Sequence, residues 1–492
     1  MAICYHDRAE TGLPRMADAE RPAHSNPAAA VCPPLFMAAD IRAIDRQWAA
    51  SHPDTSLMER AGAAAAELAG TLASETGAPV LVLAGPGNNG GDALIAARRL
   101  LALGFRAAVV SRADPARLPP DAARAWAAWG EAGGAILADI PTSAEFSLVI
   151  DGLFGVGLLR AVAGEEARWI AQANDMACPK LALDVPSGLD SDTGLIRGHA
   201  MRADHTLTFL GLKPGLLTAD GPDCAGILHL DPLGVDQESL PLTPGIALTG
   251  LAPHHRLPPR ARNSHKGQFG HVGLVGAAPG MVGAGLIAGR AALQHGAGSV
   301  TVGALDERIA VDFFEPRLMF AAPESLVGSQ LDVLAIGPGL GQAPRAHALL
   351  KAALAAPCPL VLDADALNLL ANDPELAERA ACRGAPTLLT PHPGEAARLL
   401  GVSATDIQQS RIEAALRLGA QFRAHVVLKG AGSVVAHPDG RYAINTSGGP
   451  WLAQAGSGDR LTGMVAALIG QGMDAANALE AAVWLHGGAT PP

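Results

Sequence analysis

Short apolar runs that end in a glycine or an acid, each followed by a helical stretch, limit this chain more than any other feature. Pro79–Ala84 (PVLVLA) leads into the turn Gly85–Asp92 (GPGNNGGD), the Ala93–Leu103 helix and a second strand at Arg106–Ser111. Phe146–Asp151 and Leu181–Val185 continue the series. Strands that are apolar on both faces and alternate with helices belong to a parallel sheet covered on both sides. In such α/β sheets ligands gather beyond the carboxyl ends of the strands. Asn88, Asn89, Asp92, Asp151, Asp184 and Ser187 all fall at those ends, so the pattern predicts a site there rather than a set of ordinary turns.

The rhythm lapses in a Pro-rich stretch and then restarts. His271–Ala277 is followed by a helix over Gly283–His295 and by strands at Ser299–Gly303, Val333–Gly337, Leu360–Asp363, Thr387–Thr390 and Val426–Lys429. Ser433–Ile444 folds back at Pro438-Asp439-Gly440, a hairpin signal. A chain of 492 residues is too long for one ordinary core. Residues 1–37 read as a mobile tail, 38–235 as a first α/β domain, 236–262 as a linker and 263–492 as a second α/β domain. No internal repeat aligns the two.

Composition narrows the partners. A formal net charge of −11 argues against nucleic acid, whose phosphates need a basic surface, and 2 tyrosines with 6 tryptophans offer little for base stacking. Small phosphorylated ligands remain open, because they need only local donors. The 6 cysteines are scattered without a CxxC pair, which suits a reducing cytoplasm and speaks against zinc. No run reaches membrane-spanning length, and the N-terminus, with Asp7 and Glu10, does not resemble a secretory signal.

Two stretches carry chemistry. Asn445–Met464 (NTSGGPWLAQAGSGDRLTGM) crosses a Gly-rich loop and enters a helix near Gly458. Free N–H groups at a helix start, unshielded by side chains, suit an anion. A carboxylate there is electrostatically wrong for simple binding. Asp459 therefore reads either as a base that helps a hydroxyl attack a phosphate or as a plain helix cap, and the local pattern leaves both open. Gly85–Gly90 matches GxGxxG only formally, since no acid ends the following strand. Asn88 and Asn89 supply amide oxygens suited to a ribose, an amide or a monovalent cation, and Asp151 and Ser187 can complete an oxygen cage.

GPGNNGGD, Asp151–Gly157 (DGLFGVG), Leu183–Asp190 (LDVPSGLD) and Gly211–Gly215 (GLKPG), in that order, resemble the YjeF N-terminal domain, the NAD(P)H-hydrate epimerase. The resemblance implies a Rossmann-like fold in which Asn88, Asn89, Gly90, Gly91 and Asp92, then Gly155, Val156, Gly157, Leu158, Leu159, Arg160 and Ala161, and Asp184 hold the hydrated dinucleotide. It implies a potassium ion on Asn89, Asp151 and Ser187. Asp151 is also the candidate for moving a proton in epimerisation. Ala93 stands where the family has glycine.

The second half resembles the YjeF C-terminal domain, the ADP- or ATP-dependent NAD(P)H-hydrate dehydratase of the ribokinase-like superfamily. The motifs are Ser264–Gly267 (SHKG), Gly337–Gly341 (GPGLG), Asp363–Asn368 (DADALN), Thr390–Glu395 (TPHPGE), Lys429–Ser433 (KGAGS) and Gly456–Asp459 (GSGD). The resemblance implies that Lys429, Gly430, Ala431, Gly432, Ser433 and Gly458 contact the adenine nucleotide, with Mg²⁺. Ala284, Gly339, His392 and Asp459 then contact the substrate, with Asp459 as catalytic base. The partners implied are NADHX or NADPHX and ADP, with self-association into a homo-oligomer expected. Arg460 departs from the small apolar residue usual in the family. The family also runs on for about another helix past Trp484–Gly488, so the second domain reads as short at its C-terminus. Two rivals follow from these departures: a ribokinase-like small-molecule kinase, permitted by GSGD alone, or a dinucleotide-binding protein whose second domain is inactive.

Overall fold

The computed structural model describes residues 3–5, 32–52, 55–73, 77–142, 144–158, 160–236, 239–241 and 243–488. The chain divides into two compact units that part at Thr243 and Pro244, with Cys32 and Pro33 grouped in the second. Among the described residues no helix is long and apolar enough to cross a membrane.

The first unit is built on an eight-stranded sheet in the order β1-β8-β7-β6-β5-β2-β3-β4. The strands are β1 (Ile3–Tyr5), β2 (Val80–Ala84), β3 (Ala107–Val110), β4 (Ile136–Leu137), β5 (Leu148–Gly152), β6 (Lys180–Leu183), β7 (His205–Phe209) and β8 (Ile227–Asp231). Every neighbouring pair is parallel. β2 and β5 are buried along their whole length, as a central strand covered on both faces must be. The register sets Leu83 beside Asp151 and Asp151 beside Ala182, so Gly85, Asp151 and Asp184 come level at one end of the sheet.

The second unit holds a ten-stranded sheet, β12-β11-β10-β13-β14-β15-β16-β17-β18-β9. Its strands are β9 (Gly245–Leu248), β10 (His271–Gly276), β11 (Ser299–Ala304), β12 (Met319–Ala321), β13 (Val333–Ile336), β14 (Leu360–Leu362), β15 (Thr387–Leu389), β16 (His425–Leu428), β17 (Val434–Ala436) and β18 (Tyr442–Asn445). Only the β16-β17-β18 hairpin strands are antiparallel. Ile336 pairs with Leu362, Leu362 with Leu389 and Leu389 with Val426, which levels Gly337, Asp363 and Thr390 at the strand ends. Away from those ends, Glu480 accepts from His255 Nε2 at 2.7 Å and His437 Nε2 at 2.8 Å, tying the Pro253–His255 turn and the end of β17 to the Ala475–Gly487 helix. Although burial works against it, these two imidazoles hold the Glu480 carboxyl down at about 2.

Three expectations change. The stretch 1–37 is not uniformly a tail: Ile3–Tyr5 pairs with β8, and Leu35 and Phe36 are buried. The stretch 236–262 is not only a linker, because β9 adds in parallel to β18, its short apolar core masked in the sequence by flanking prolines. The first helix of the series begins at Asn88 rather than Ala93, so Asn88–Asp92 is helical and not a turn. Residues 6–31, the end of the sequence at 489–492 and Leu159 lie outside the described residues.

Candidate active sites

In the first unit Gly85 and Gly90 allow the strand-to-helix turn to close on its neighbours. A β-carbon on Gly85 would sit 1.8 Å from Leu153 O, and one on Gly90 would sit 2.0 Å from Gly85 O. These glycines serve backbone packing, which explains why the GxGxxG match lacked its other partners. The turn delivers Asn89, whose Nδ2 donates to Phe154 O at 3.0 Å and Leu183 O at 3.1 Å. Its Oδ1 is buried and meets no donor among the described residues. Nearby, Ser187 Oγ donates to Asp151 Oδ1 at 2.6 Å, and Asp151 also accepts from Ser187 N and Leu153 N. Asp151 is 0% exposed, and burial lifts its carboxyl to about 6 against these hydrogen bonds. An orphaned amide oxygen beside carbonyls, a hydroxyl and a carboxylate is an oxygen-donor set that suits a weakly bound cation.

Asp184 follows β6 in a left-handed conformation, φ 64°. Its Oδ1 accepts from Lys213 Nζ, which is 0% exposed and also donates to Thr208 Oγ1 and Phe209 O. Burial lowers the Lys213 ammonium, and Asp184 opposes that shift. A β-carbon on Gly155 would lie 3.3 Å from Asp184 Oδ2 and 3.4 Å from Asn89 Cγ, so the Gly155 backbone faces both. Asp92 stands three residues after Asn89 on the same helix, buried and without a hydrogen-bond partner among the described residues. Phe154, Leu158, Arg160, Ala161 and Glu166 help line a cavity of about 330 Å³.

In the second unit the Gly456 backbone turns left-handed, φ 84°, and the Ser457–Gly470 helix begins. Lys429 Nζ reaches its first turn, 3.1 Å from where a Gly458 β-carbon would stand. Lys429 Nζ donates to buried Asp363 Oδ1 at 3.0 Å and lies 4.0 Å from Glu395 Oε2. Thr462 Oγ1 donates to the other Asp363 oxygen at 2.7 Å. Burial would raise Asp363, yet Lys429 and these donors hold it below the usual carboxylate range. Lys429 in turn stays charged despite burial, because Asp363, Glu395 and Asp459 surround it. Asp459 has no hydrogen-bond donor among the described residues. Burial first, then the Asp363 charge, raise it to about 6, with Lys429 pulling the other way. The result is an acid that is ionised at neutral pH yet basic enough to take a proton, at the positive end of a helix.

Family models match both halves: one for NAD(P)H-hydrate dehydratase over residues 272–491, and one for the YjeF-related protein N-terminus over residues 54–215. The bifunctional NAD(P)H-hydrate repair enzyme Nnr of Escherichia coli strain K12 is 40% identical over 423 residues, 83% of this chain and 79% of that protein. The chain belongs to this bifunctional repair enzyme family. The Nnr of Moorella thermoacetica is 37% identical over 492 residues, 92% of this chain and 91% of its own, and that of Thermofilum pendens 34% over 478 residues, 91% and 90%.

Against that family pattern, the structure gathers Asn89, Asp151, Ser187, Asp184 and Gly155 in one place, and Lys429, Gly458 and Asp459 in another. Asn88, Gly157, Arg160 and Ala161 are exposed, while Gly90 and Gly91 are buried in packing. Gly339, φ 59°, lies against Ala284, a β-carbon there being 3.2 Å from Ala284 Cβ. His392 caps the Pro393–Leu400 helix, its Nδ1 accepting from Gly394 N at 3.0 Å and Glu395 N at 3.3 Å. Burial and then Lys429 lower its pKa, so the proton of the neutral ring lies on Nε2. Arg460 turns its Nε into the interior without a partner among the described residues and, after burial, helps depress His486 to about 4. Sequence reasoning missed Lys213, Asp363, Glu395 and Thr462. Asp363 was within reach, since it ends β14 as Asp184 ends β6. Thr462 gave no signal, being one helical turn past Asp459.

Proposed function

We propose that this chain repairs hydrated nicotinamide cofactors. It epimerises the R and S forms of NAD(P)H hydrate and dehydrates the S form to NAD(P)H at the expense of ADP, giving AMP and phosphate. Family membership supports both activities. The observation that carries the dehydratase assignment is Asp459, a free carboxyl at about 6 beside the Lys429 ammonium and the Gly456–Gly458 backbone.

Asp459 takes the proton of the C6 hydroxyl as that oxygen attacks the terminal phosphate. Lys429 and the helix N–H groups oppose the phosphate charge, and the Lys429–Ser433 and Gly458 backbones hold the nucleotide. Ala284, Gly339 and His392 bound the substrate, His392 offering Nε2–H. The C6–O bond then breaks with phosphate as the leaving group, the ring nitrogen lone pair forms an N1=C6 iminium, and loss of a C5 proton to solvent restores the dihydronicotinamide. Magnesium would come with the nucleotide phosphates and supply charge neutralisation, and Glu395, buried beside Lys429, is the carboxyl we assign to it.

In the epimerase unit Asn88–Asp92, Gly155–Ala161 and Asp184 hold the dinucleotide. Asn89, Asp151 and Ser187 would hold a potassium ion, whose charge would balance the Asp151 carboxylate. We assign Asp151 to that ion rather than to proton transfer, because three donors already close it off. Six free thiols fit a cytoplasmic location, and we carry over the expectation of self-association.

The deciding assay mixes R and S hydrates of NADH with ADP, Mg²⁺ and K⁺ and follows absorbance at 340 nm. Full return of the dihydronicotinamide signal is expected. Recovery of the S form alone would remove the epimerase. A stable phosphorylated product would favour a kinase instead. No recovery with R and S still interconverting would mean a silent second unit.

A further inference from the structure

The acids at the strand ends of the first unit are not equivalent. Asp151 is sealed, with both oxygens taken by Ser187 and Leu153 donors and no exposed surface. Asp184 has one oxygen committed to Lys213 and the other, Oδ2, turned toward Gly155. Asp92 has neither oxygen committed among the described residues and keeps 9% of its surface exposed. It shares a helix face with Asn88 and Asn89, four and three residues earlier, so it looks onto the same cradle. Lys213 cannot be the proton carrier, since its three hydrogens are spent on Asp184, Thr208 and Phe209. It is a positioning residue that pins Asp184 on a left-handed backbone. A non-glycine residue held at positive φ by its surroundings is often found where orientation matters for chemistry.

We propose that Asp92 and Asp184 are the proton-transfer pair of the epimerase site, Asp92 as acid and Asp184 as base; this rests on the epimerase reading above. The protonated Asp92 carboxyl gives its proton to the C6 hydroxyl. The C6–O bond breaks, its electron pair leaves with the oxygen as water, and the N1 lone pair forms an N1=C6 iminium. Water then adds to the opposite face of C6 and hands its proton to the Asp184 carboxylate. One proton has been given and one taken, and exchange of the proton from Asp184 to Asp92 through solvent restores the pair. No redox partner is needed.

The electrostatics agree with the assignment. Burial raises Asp92 well above the usual carboxylate range, and the charges of Asp184, Asp45 and Asp121 raise it further. Asp45 comes from the Ala38–Ser51 helix and Asp121 from the Pro120–Glu131 helix. The ion pair of Arg98 with Glu59 lies further along the helix interface, and Lys213 is occupied by Asp184. A buried acid beside a carboxylate that is already paired with an ammonium is an arrangement suited to an acid and a base in one site.

The test uses the full chain, pure R hydrate of NADH, K⁺ and no ADP, with R and S resolved by chromatography. For the wild type, kcat/KM should fall as pH rises through the Asp92 value, because the acid form is required. Asp92→Asn should lower kcat about a hundred- to ten-thousand-fold, with KM within about threefold, and abolish that alkaline limb. Asp184→Asn should lose kcat comparably. Asp45→Asn, a surface change, should keep kcat and move the alkaline limb to lower pH, which a merely structural Asp92 would not do. In ¹⁸O-labelled water the S product should carry solvent oxygen at C6. Asp92→Asn with more than about a third of wild-type kcat, a wild-type profile with no limb that falls as pH rises, or retained C6 oxygen would each overturn the pair. If the wild type does not interconvert R and S faster than buffer, the epimerase reading itself falls and takes this assignment with it.

Discussion

Both units collect acids at the carboxyl ends of parallel strands, yet they place their lysines differently. In the second unit Lys429 stands among Asp363, Glu395 and Asp459, its charge directed at the start of the Ser457–Gly470 helix. In the first, Lys213 is sealed beneath Asp184, and Asp92 has no cation of its own among the described residues. A half-buried lysine charge reaching a helix start prepares a place for phosphate and keeps the acid it pairs with, Asp363, ionised. A buried one fixes a single carboxylate and lets the next acid keep its proton. Position of the cation, more than number of acids, separates phosphoryl-transfer chemistry from proton exchange at a hemiaminal carbon.

The sharpest way to break this contrast is Asp459→Asn. Dehydration should drop by about a hundred- to ten-thousand-fold while R and S still interconvert, read by 340 nm recovery and chromatography on one sample. Equal loss of both activities would show that the two sites are not independent. Next in size is Lys429→Met, which leaves Asp363 buried and unpaired. We expect about 3–5 kcal/mol less stability in the second unit at neutral pH, seen in denaturant unfolding. Because Asp363 lies below its unfolded value, its contribution is full above the ordinary carboxylate range and is lost as pH falls through the folded value. Wild type and variant should therefore converge in acid.

A moderate effect is expected in pH profiles. As a base Asp459 must be ionised, so kcat/KM for dehydration should rise through about 6 and level off above it. Asp363→Asn removes a charge that raises Asp459 and frees Lys429 to lower it, so that limb should move to lower pH. An unmoved limb would mean that another group sets it. The smallest change is Gly155→Ala. The new methyl finds 3.3 Å to Asp184 Oδ2, a tight but tolerable fit, and should raise the epimerase KM several-fold with little change in dehydration.

Much of the fold was legible because buried parallel strands write themselves as unbroken apolar runs. PVLVLA and its followers needed no context, and their ends marked where the polar residues would meet. The shorter strands were not legible. Gly245–Leu248 is four residues between prolines, and Ile3–Tyr5 is three, lengths at which local pattern carries little information and pairing comes from the neighbour. Site motifs fared unevenly for a related reason. Asn89, Asp184 and Asp459 sit in motifs that were read for what they bind. Lys213 and Asp363 sit in motifs too, but their roles depend on which acid or amine they face across strands, and spacing along the chain does not encode that. Arg460 shows the same limit: the sequence identifies the departure, and only the fold shows its Nε turned inward.

The outermost strand of the first sheet has a practical consequence. Ile3–Tyr5 covers the hydrogen-bonding edge of Ile227–Asp231. Deleting those few residues, or crowding them with a bulky purification tag, would bare a row of unanswered amides and carbonyls on an apolar strand. Such an edge invites another chain to pair with it. Preparations trimmed at that end should cloud or sediment on concentration while each molecule still turns over substrate, so a poor yield there would say nothing about either active site.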